Sequence, residues 1–191
     1  MSEPAFDVQG TFLAVVEALD ESGVPYAFIG ALPVLAWGRV RATTDIDLVV
    51  AIESGWENLV NALEKRGIRP SQNVGPADPA DTLPDIAMFR SREASGTRVD
   101  VFIAKTDFEQ AVIDGARSRE VLRATVRLAC PEASIVYKLL AQRPRDVDDV
   151  DSIFAARAAA GETLDWAFLE QWAEAWGIAD RLAPYRVRYP G

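Results

Sequence analysis

The first two thirds of the chain alternate between short apolar runs and apolar residues at helical spacing. Phe12, Val15, Val16 and Leu19 recur three to four residues apart and predict a helix that ends before Gly23. Short apolar runs predict further strands, and apolar residues at helical spacing predict further helices. The predicted strands are YAFIG (26–30), DIDLVVAI (45–52), DIAMFRS (85–91), TRVDVFIA (97–104) and the extended segment EVLRATVRLA (120–129); the predicted helices are ALPVLAWG (31–38), GWENLVNALEKRG (55–67) and DFEQAVIDGARS (107–118).

From Pro131 onward the pattern is helical. The segments PEASIVYKLLAQ (131–142), PRDVDDVDSIFAARAAAG (144–161) and TLDWAFLEQWAEAWG (163–177) each place apolar residues at helical spacing. The sequence therefore predicts an α/β portion, residues 1–130, followed by a helical C-terminal portion, residues 131–191.

One tract has the composition of a loop. Residues 70–84 contain four of the eleven prolines. A loop of that length in a compact domain is either functional, such as a lid, or poorly ordered. The sequence leaves both alternatives open.

Charge narrows the choice of partners. Among 191 residues, 20 are basic and 29 acidic, for a formal net charge of -9. This balance disfavours loose electrostatic binding to nucleic acid and is easier to reconcile with a cationic or neutral small substrate, although it leaves room for a local basic groove. The N-terminus has no basic region followed by an apolar core, and the longest apolar stretch, residues 27–38, is too short to span a bilayer. We therefore expect a cytoplasmic protein with no membrane partner.

Two residue types are scarce. The chain has no histidine, which excludes Ser-His-Asp triads, zinc sites of the HExxH type and histidine acid–base catalysis. Cys130 is the single cysteine, so intrachain disulfides and cysteine-rich zinc sites are excluded as well. We expect Cys130 to be a small buried hydrophobic residue. An enzyme built from this chain must use carboxylates, metal, lysine or backbone amides.

The segment RATTDIDLVV, residues 41–50, places two acids on an apolar strand. Side chains alternate along a strand, so Asp45 and Asp47 point one way while Ile46 and Leu48 point the other. Two neighbouring carboxylates repel each other and are costly to desolvate without a partner. The sequence therefore requires a cation beside them, either an arginine or lysine or a divalent metal.

A third acid repeats this pattern. In TRVDVFIA, Val99, Val101 and Ile103 share one face and Asp100 lies on the other. If Asp45, Asp47 and Asp100 meet at one edge of a sheet, they form a site for one or two Mg²⁺ ions. The alternative is that Arg39, Arg41 or Arg98 neutralises them.

Upstream of these acids, a predicted strand ends at Gly30 and a helix begins directly after it. This arrangement suits phosphate binding, although a tight turn that binds nothing would have the same sequence.

Two later Asp-x-Asp patterns, Asp146/Asp148 and Asp149/Asp151, lie at a predicted helix start. Val147, Val150 and Phe154 form an apolar stripe along this helix. Asp146 and Asp149 can therefore simply lie on its solvent-exposed flank, with no functional role. The same holds for Lys138 on the preceding helix. Trp172 and Trp176 are expected to pack in the core rather than to stack on a base.

These motifs together carry a family resemblance. Gly30-Ala31, thirteen intervening residues and Asp45-Ile46-Asp47 resemble the signature of the polymerase-beta-like nucleotidyltransferase superfamily, in which Gly and then Gly or Ser precede two strand acids. The tail PEASIVYKLLAQRPRDVDDVDSIF, residues 131–154, is similar to a segment of the abortive-infection (type IV toxin–antitoxin) branch, in which a lysine precedes an arginine–aspartate cluster. The resemblance spans roughly residues 24–156. It implies a nucleotidyltransferase fold of the α/β (α+β) class, with a mixed sheet flanked by helices.

The resemblance also implies roles for individual residues. Asp45, Asp47 and Asp100 would be catalytic metal ligands, with Asp100 as a candidate base for the acceptor. Mg²⁺ or Mn²⁺ would be the cofactor and a nucleoside triphosphate the substrate. Ala31 departs from the usual Gly or Ser and removes a hydroxyl donor to phosphate. The residues expected to bind or brace the nucleotide are Gly30, Ala31, Arg41, Thr44, Lys138, Asp146 and Asp149.

The expected activity is metal-dependent transfer of a nucleoside monophosphate to an acceptor that the sequence does not identify. RNA, protein and a cationic small molecule are the alternatives. The toxin-like branch adds an antitoxin as a partner, whereas relatives that modify aminoglycoside-type antibiotics favour the small molecule. A non-catalytic relative that binds nucleotide or protein is the competing hypothesis, and Ala31 supports it.

Overall fold

The computed structural model describes residues 8–51, 55–70, 85–91 and 96–190. In these ranges seven strands form one mixed sheet in the order β3-β4-β5-β2-β1-β7-β6. The strands are β1 (Tyr26–Phe28), β2 (Asp45–Val50), β3 (Ile68–Pro70), β4 (Asp85–Ser91), β5 (Arg98–Ile103), β6 (Arg117–Val121) and β7 (Ala124–Leu128). The helices are α1 (Val8–Ser22), α2 (Ala31–Trp37), α3 (Trp56–Lys65), α4 (Asp107–Asp114), α5 (Pro131–Ala141), α6 (Pro144–Ala159), α7 (Trp166–Ala175) and α8 (Ala179–Arg188). The expected mixed sheet flanked by helices is confirmed.

The centre of the sheet positions the acids. Strand β2 pairs antiparallel with β1 on one side and parallel with β5 on the other. Its apolar face is fully buried, with Ile46 and Leu48 each 1% exposed. The predicted alternation along DIDLVV therefore holds, because one face of the strand fills the core and the other faces a cleft.

The core joins both halves of the sequence. Trp37 of α2 and Phe28 of β1 belong to the same buried cluster as Ile135 of α5 and Phe154 of α6. Trp37 also donates an Nε1–H hydrogen bond of 2.7 Å to the carbonyl oxygen of Ala129. The division of the chain at residue 130 stays a prediction.

Cys130 has the environment expected of it. It lies buried at the N-terminal cap of α5, where its Sγ accepts a hydrogen bond from the backbone N–H of Ala133. Burial raises the pKa of the thiol to about 11. A protonated, buried thiol is a poor nucleophile.

Several features differ from the predictions. Segment 107–118 was expected to be one helix, but α4 ends at Asp114 and β6 begins at Arg117. Segment 120–129 was expected to be extended throughout, but β6 and β7 form a hairpin whose turn is Leu122-Arg123. Strand β3 and helix α8 were not predicted, because β3 has only three residues and α8 contains Pro184, which disfavours a helix interior. Val147 was assigned to a core stripe but is 47% exposed. The loop prediction for 70–84 lies outside the described residues, apart from Pro70 in β3.

None of the helices in the described ranges has the length and apolar character needed to cross a membrane.

The β6–β7 turn offers a stability test. Leu122 and Arg123 have φ values of 49° and 68°, a left-handed conformation that costs about 1–2 kcal/mol for an ordinary residue. The pair of substitutions Leu122→Asn and Arg123→Gly suits such a turn. We expect the free energy of unfolding to rise by about 1–2 kcal/mol and the melting temperature by about 2–4 °C per kcal/mol. Leu122→Ser with Arg123→Ser is the control, and an equal gain from the control would contradict this explanation.

Candidate active site

Three carboxylates from two strands line one cleft. Asp47 of β2 lies opposite Asp100 of β5 in the parallel register, and Asp45 lies opposite Arg98. All four residues line a cleft of about 670 Å³, a volume typical of small-molecule sites. The structure therefore brings Asp45, Asp47 and Asp100 to one edge, as predicted from strand alternation.

A guanidinium group lies among these acids. Arg98 Nη2 is 3.4 Å from Asp45 Oδ2, and Arg98 Nε is 3.0 Å from Asp100 Oδ2. The sequence left an arginine and a metal as alternative counter-ions, and the structure places an arginine there. Arg39 and Arg41, the other two candidates, instead pair with Asp149. No group of three or more potential metal ligands is arranged to hold an ion within the part of the chain that the structure describes.

The donor set nevertheless fits a divalent cation. Mg²⁺ prefers oxygen ligands, and three carboxylates on adjacent strands supply them. The Arg98 side chain is 40% exposed, so it has room to move toward solvent. A metal held by all three carboxylates requires that movement.

The pKa of Asp47 reflects the excess of negative charge in the cleft. Burial raises its pKa to about 6, helped by the charges of Asp100 and Asp45, while Arg98 and Lys138 act in the opposite direction. The Arg98 guanidinium therefore only partly compensates the three acids. Such a strained carboxylate is typical of a functional site.

The lack of a side chain at Gly30 leaves room for the Asp47 carboxylate. Gly30 precedes α2 with φ 69° and ψ -123°, a conformation that favours glycine. A Cβ added there would overlap the Asp47 carboxylate, with Cγ only 2.8 Å away. Glycine is thus required both by the backbone and by the side chain opposite it. The neighbouring Ala31 also lines the cleft.

Positive side chains form a different wall. Arg41, Lys138, Arg143 and Arg145 all line the cleft. Lys138 is only 4% exposed, whereas the sequence alternative was a solvated lysine. This wall is a concentration of positive charge in a chain whose net charge is negative.

Two buried aspartates hold that wall in place. Asp146 and Asp149 are both fully buried, so the solvated-flank alternative is wrong for both. Lys138 Nζ lies 2.8 Å from Asp146 Oδ1 and 3.2 Å from Asp149 Oδ2. Arg41 Nη2 lies 3.2 Å from Asp149 Oδ2, and Arg143 Nε lies 2.7 Å from Asp146 Oδ2.

Burial and charge compete at Asp146. Burial by itself would raise the pKa of Asp146, but hydrogen bonds from Arg143 and Lys138 outweigh it and lower that pKa. Neither Asp146 nor Asp149 is among the residues that line the cleft. The sequence left two roles for Asp146 and Asp149, contact with the nucleotide and bracing of the site. The geometry favours bracing.

Thr44 also lines the cleft, and its Oγ1 donates a 3.3 Å hydrogen bond to Asp45 Oδ1.

Several lining residues were missed from the sequence. Arg143 and Arg145 belong to the arginine–aspartate cluster that the sequence did contain, so a signal existed for them. Trp176 was expected in the core, and it both packs against Phe108 and lines the cleft. No sequence signal marked the remaining members, Ile29, Ala42, Thr43, Phe102, Phe108, Glu109, Tyr137, Leu140 and Ala141.

The raised pKa of Asp47 predicts a gain in stability when its charge is removed. The folded protein holds this proton more tightly than the unfolded chain, so its stabilising effect is full below about pH 4 and is lost as pH rises through about 6. Without metal, Asp47→Asn should therefore stabilise the protein at pH 7.5, by up to about 3 kcal/mol, and much less at pH 4.5. Urea unfolding at both pH values checks this, with Asp20→Asn as an exposed control.

A variant that is destabilised equally at both pH values would mean that Asp47 is held by favourable contacts rather than strained by its neighbours.

Gly30 gives a matched pair of substitutions. Gly30→Ala and Gly23→Ala both place a Cβ on a left-handed backbone, with φ values of 69° and 66°. Only Gly30→Ala collides with a carboxylate, since nothing lies within 4 Å of a Cβ at Gly23. We expect both to lower the melting temperature through strain of about 1 kcal/mol, and Gly30→Ala to lower it by clearly more. Equal losses would show that Asp47 moves aside freely.

Comparison with known proteins locates the fold. No family model and no curated protein matches the chain. Among solved structures, the antibiotic-resistance factor ANT(2'')-Ia is similar, with a TM-score of 0.59 and 18% identity over 94% of this chain and 96% of its own.

Two further structures agree with it. An antigenic nucleotidyltransferase-like protein from Paracoccidioides brasiliensis has a TM-score of 0.53 and 20% identity over 78% of this chain and 77% of its own. The lincosamide antibiotic adenylyltransferase LnuA has a TM-score of 0.52 and 16% identity over 76% of this chain and 98% of its own. At these identities the likeness is one of fold, and the chain has the fold of the nucleotidyltransferases.

Proposed function

We propose that this protein is a Mg²⁺- or Mn²⁺-dependent nucleotidyltransferase, which transfers a nucleoside monophosphate from a nucleoside triphosphate to an acceptor. The observation that carries the proposal is the cleft itself. Three carboxylates on adjacent strands face it together with Arg98 and the four cationic side chains of the opposite wall. Acids for a metal and cations for phosphates are the two requirements of phosphoryl transfer.

The cationic wall suits a triphosphate. Arg41, Arg143 and Arg145 offer guanidinium donors, and Lys138 offers an ammonium group. Asp146 and Asp149 fix Lys138, Arg41 and Arg143 by ion pairs of 2.7 to 3.2 Å. Groups already held in place need little reorganisation when the charge of the transition state develops.

Asp45, Asp47 and Asp100 are the residues that would hold the metal. When bound, the ion would neutralise phosphate charge and favour ionisation of the acceptor hydroxyl. The acceptor oxygen forms a bond to the α-phosphorus as the bond to the bridging oxygen of the β-phosphate breaks, and pyrophosphate leaves. Asp100 takes the acceptor proton in this scheme, and Arg41 and Lys138 hold the departing phosphates.

Similar structures support an adenylyl transfer to a small molecule. A crystal structure of ANT(2'')-Ia is a complex with adenylyl-2"-tobramycin, and LnuA is a lincosamide antibiotic adenylyltransferase. The acidic composition of this chain is compatible with a cationic acceptor of that kind. A toxin-like role with an antitoxin partner rests only on the sequence of residues 131–154.

A non-catalytic nucleotide-binding module is the second candidate. Arg98 already neutralises Asp45 and Asp100 without a metal, and Ala31 lacks the hydroxyl donor of the family motif. In that case the protein would bind a triphosphate and release no pyrophosphate.

Substitution of the three acids tests the proposal. Asp45→Asn, Asp47→Asn and Asp100→Asn each remove a charge but keep the side-chain shape. We expect each to weaken Mn²⁺ binding in the presence of a nonhydrolysable triphosphate, measured by calorimetry, and to reduce nucleotidyl transfer on the order of 100-fold or more. Asp20→Asn, outside the cleft, should change neither.

Unchanged metal and nucleotide affinities in all three variants would refute the proposal. Unchanged affinities only for Asp100→Asn would remove Asp100 from the metal site. Tight binding by the unsubstituted protein without pyrophosphate release from labelled triphosphates would favour the non-catalytic module.

A further inference from the structure

Part of the cleft lining is aromatic. Phe102 of β5, Phe108 of α4, Tyr137 of α5 and Trp176 after α7 line it, and we call these four residues the aromatic end. The triphosphate chemistry above uses none of them. The inference that follows rests on the proposed nucleotidyl transfer and concerns the molecule that accepts the nucleotide.

Ring contacts join three of the four residues of the aromatic end. Phe108 is fully buried, and its ring centroid lies 5.0 Å from that of Tyr137 and 6.1 Å from that of Trp176. Interplanar angles of 60° and 75° are the edge-to-face geometry that aromatic pairs prefer. The Trp172 ring also contacts Phe108, at 5.1 Å, but lies outside the cleft. Phe108 therefore joins Tyr137 and Trp176 in one ring cluster.

Ring packing alone does not explain the polar atoms of this wall. Tyr137 Oη and Trp176 Nε1 are both buried, and neither has a hydrogen-bond partner in the described part of the chain. A buried donor without a partner costs about 1–3 kcal/mol, and phenylalanine in place of Tyr137 would fill nearly the same space without that cost. Both residues line the cleft, so a molecule bound there can supply the missing partners once the two rings turn to admit it.

The protonation state of Tyr137 is suited to donation. Burial raises the pKa of Tyr137 above its usual value, and the nearby Glu109 carboxylate adds to this effect. The phenol thus stays protonated. The Trp176 indole can only donate, so a molecule that satisfies both residues must bring hydrogen-bond-accepting atoms.

Position links the aromatic end to the acceptor. Phe102 follows Asp100 by two residues on β5 and shares its face. Tyr137 directly precedes Lys138 on α5. Phe102 therefore places the aromatic end beside Asp100, the residue proposed to take the acceptor proton.

We propose that the aromatic end is the acceptor subsite and that the acceptor is a small, ring-bearing molecule with hydroxyl or carbonyl oxygens. Its ring face packs on the partly exposed Phe102, and its oxygens accept hydrogen bonds from Tyr137 Oη and Trp176 Nε1. A nucleobase has the same general chemistry, so the test separates the two sources.

The indole N–H signals in a ¹⁵N–¹H NMR spectrum of the full chain supply the test. The sequence has five tryptophans, and Trp176→Phe identifies the Trp176 signal by its loss. The first arm adds a nonhydrolysable ATP analogue with Mg²⁺, and the Gly30 amide reports whether it binds. The second arm adds lincomycin, tobramycin and a panel of fragment-sized ring alcohols to the nucleotide-loaded protein.

We expect the nucleotide to shift Gly30 but not the Trp176 indole, and at least one ring alcohol to shift the indole. Tyr137→Phe and Trp176→Phe should each weaken binding of that probe about five- to tenfold and leave nucleotide affinity within about twofold. Trp172→Phe, in the same ring cluster but outside the cleft, should leave both unchanged.

Three results would overturn the inference. A Trp176 shift caused by the nucleotide alone would make this the nucleobase subsite. A signal that no compound in the panel shifts would assign the two donors to ordered water. Equal losses in the Trp172→Phe control would reduce the effect to packing. An unshifted Gly30 in the first arm would instead refute the proposed function itself.

Discussion

Repulsion among Asp45, Asp47 and Asp100 is the constraint around which the rest of the cleft is arranged. The parallel pairing of β2 and β5 places Asp47 directly opposite Asp100, so the three charges cannot separate without disrupting the centre of the sheet. Arg98 pairs with two of the acids and leaves Asp47 with a pKa of about 6. A site maintained at that energetic disadvantage, beside a glycine that only just admits the carboxylate, is difficult to explain as packing.

On the cationic wall of the cleft, buried acids pair with the basic side chains. Two aspartates without solvent contact pair with Lys138, Arg41, Arg39 and Arg143. Breaking a buried pair of this kind is strongly destabilising, although such pairs contribute little net stability as a whole. Their effect is to fix where the cations lie. The cleft thus combines an excess of negative charge on the sheet with an excess of positive charge on α5 and the segments around it.

The sequence predicted the acids well because their position depends on local rules. Alternation along DIDLVV and RVDVFI placed all three on cleft-facing sides, and pairing of the two strands brought them together. The sequence also named Arg98 as a counter-ion but could not choose it over a metal, since that choice depends on one side-chain conformation.

Other features could not be predicted from the sequence. The Leu122-Arg123 turn was missed because neither residue is typical of left-handed backbone. Burial of Lys138 and Asp146 depends on how α5 and α6 pack, which a helical stripe does not reveal. The aromatic end joins residues 102, 108, 137 and 176 from four elements, so no sequence window contains it.

The Arg98 bridge also bears on folding. A domain whose clustered acids had no internal cation would need its ion in order to fold, as zinc fingers do. Here Arg98, on the strand next to Asp45, supplies a cation from within the chain. Under the proposed function, metal binding would therefore follow folding and exchange one cation for another.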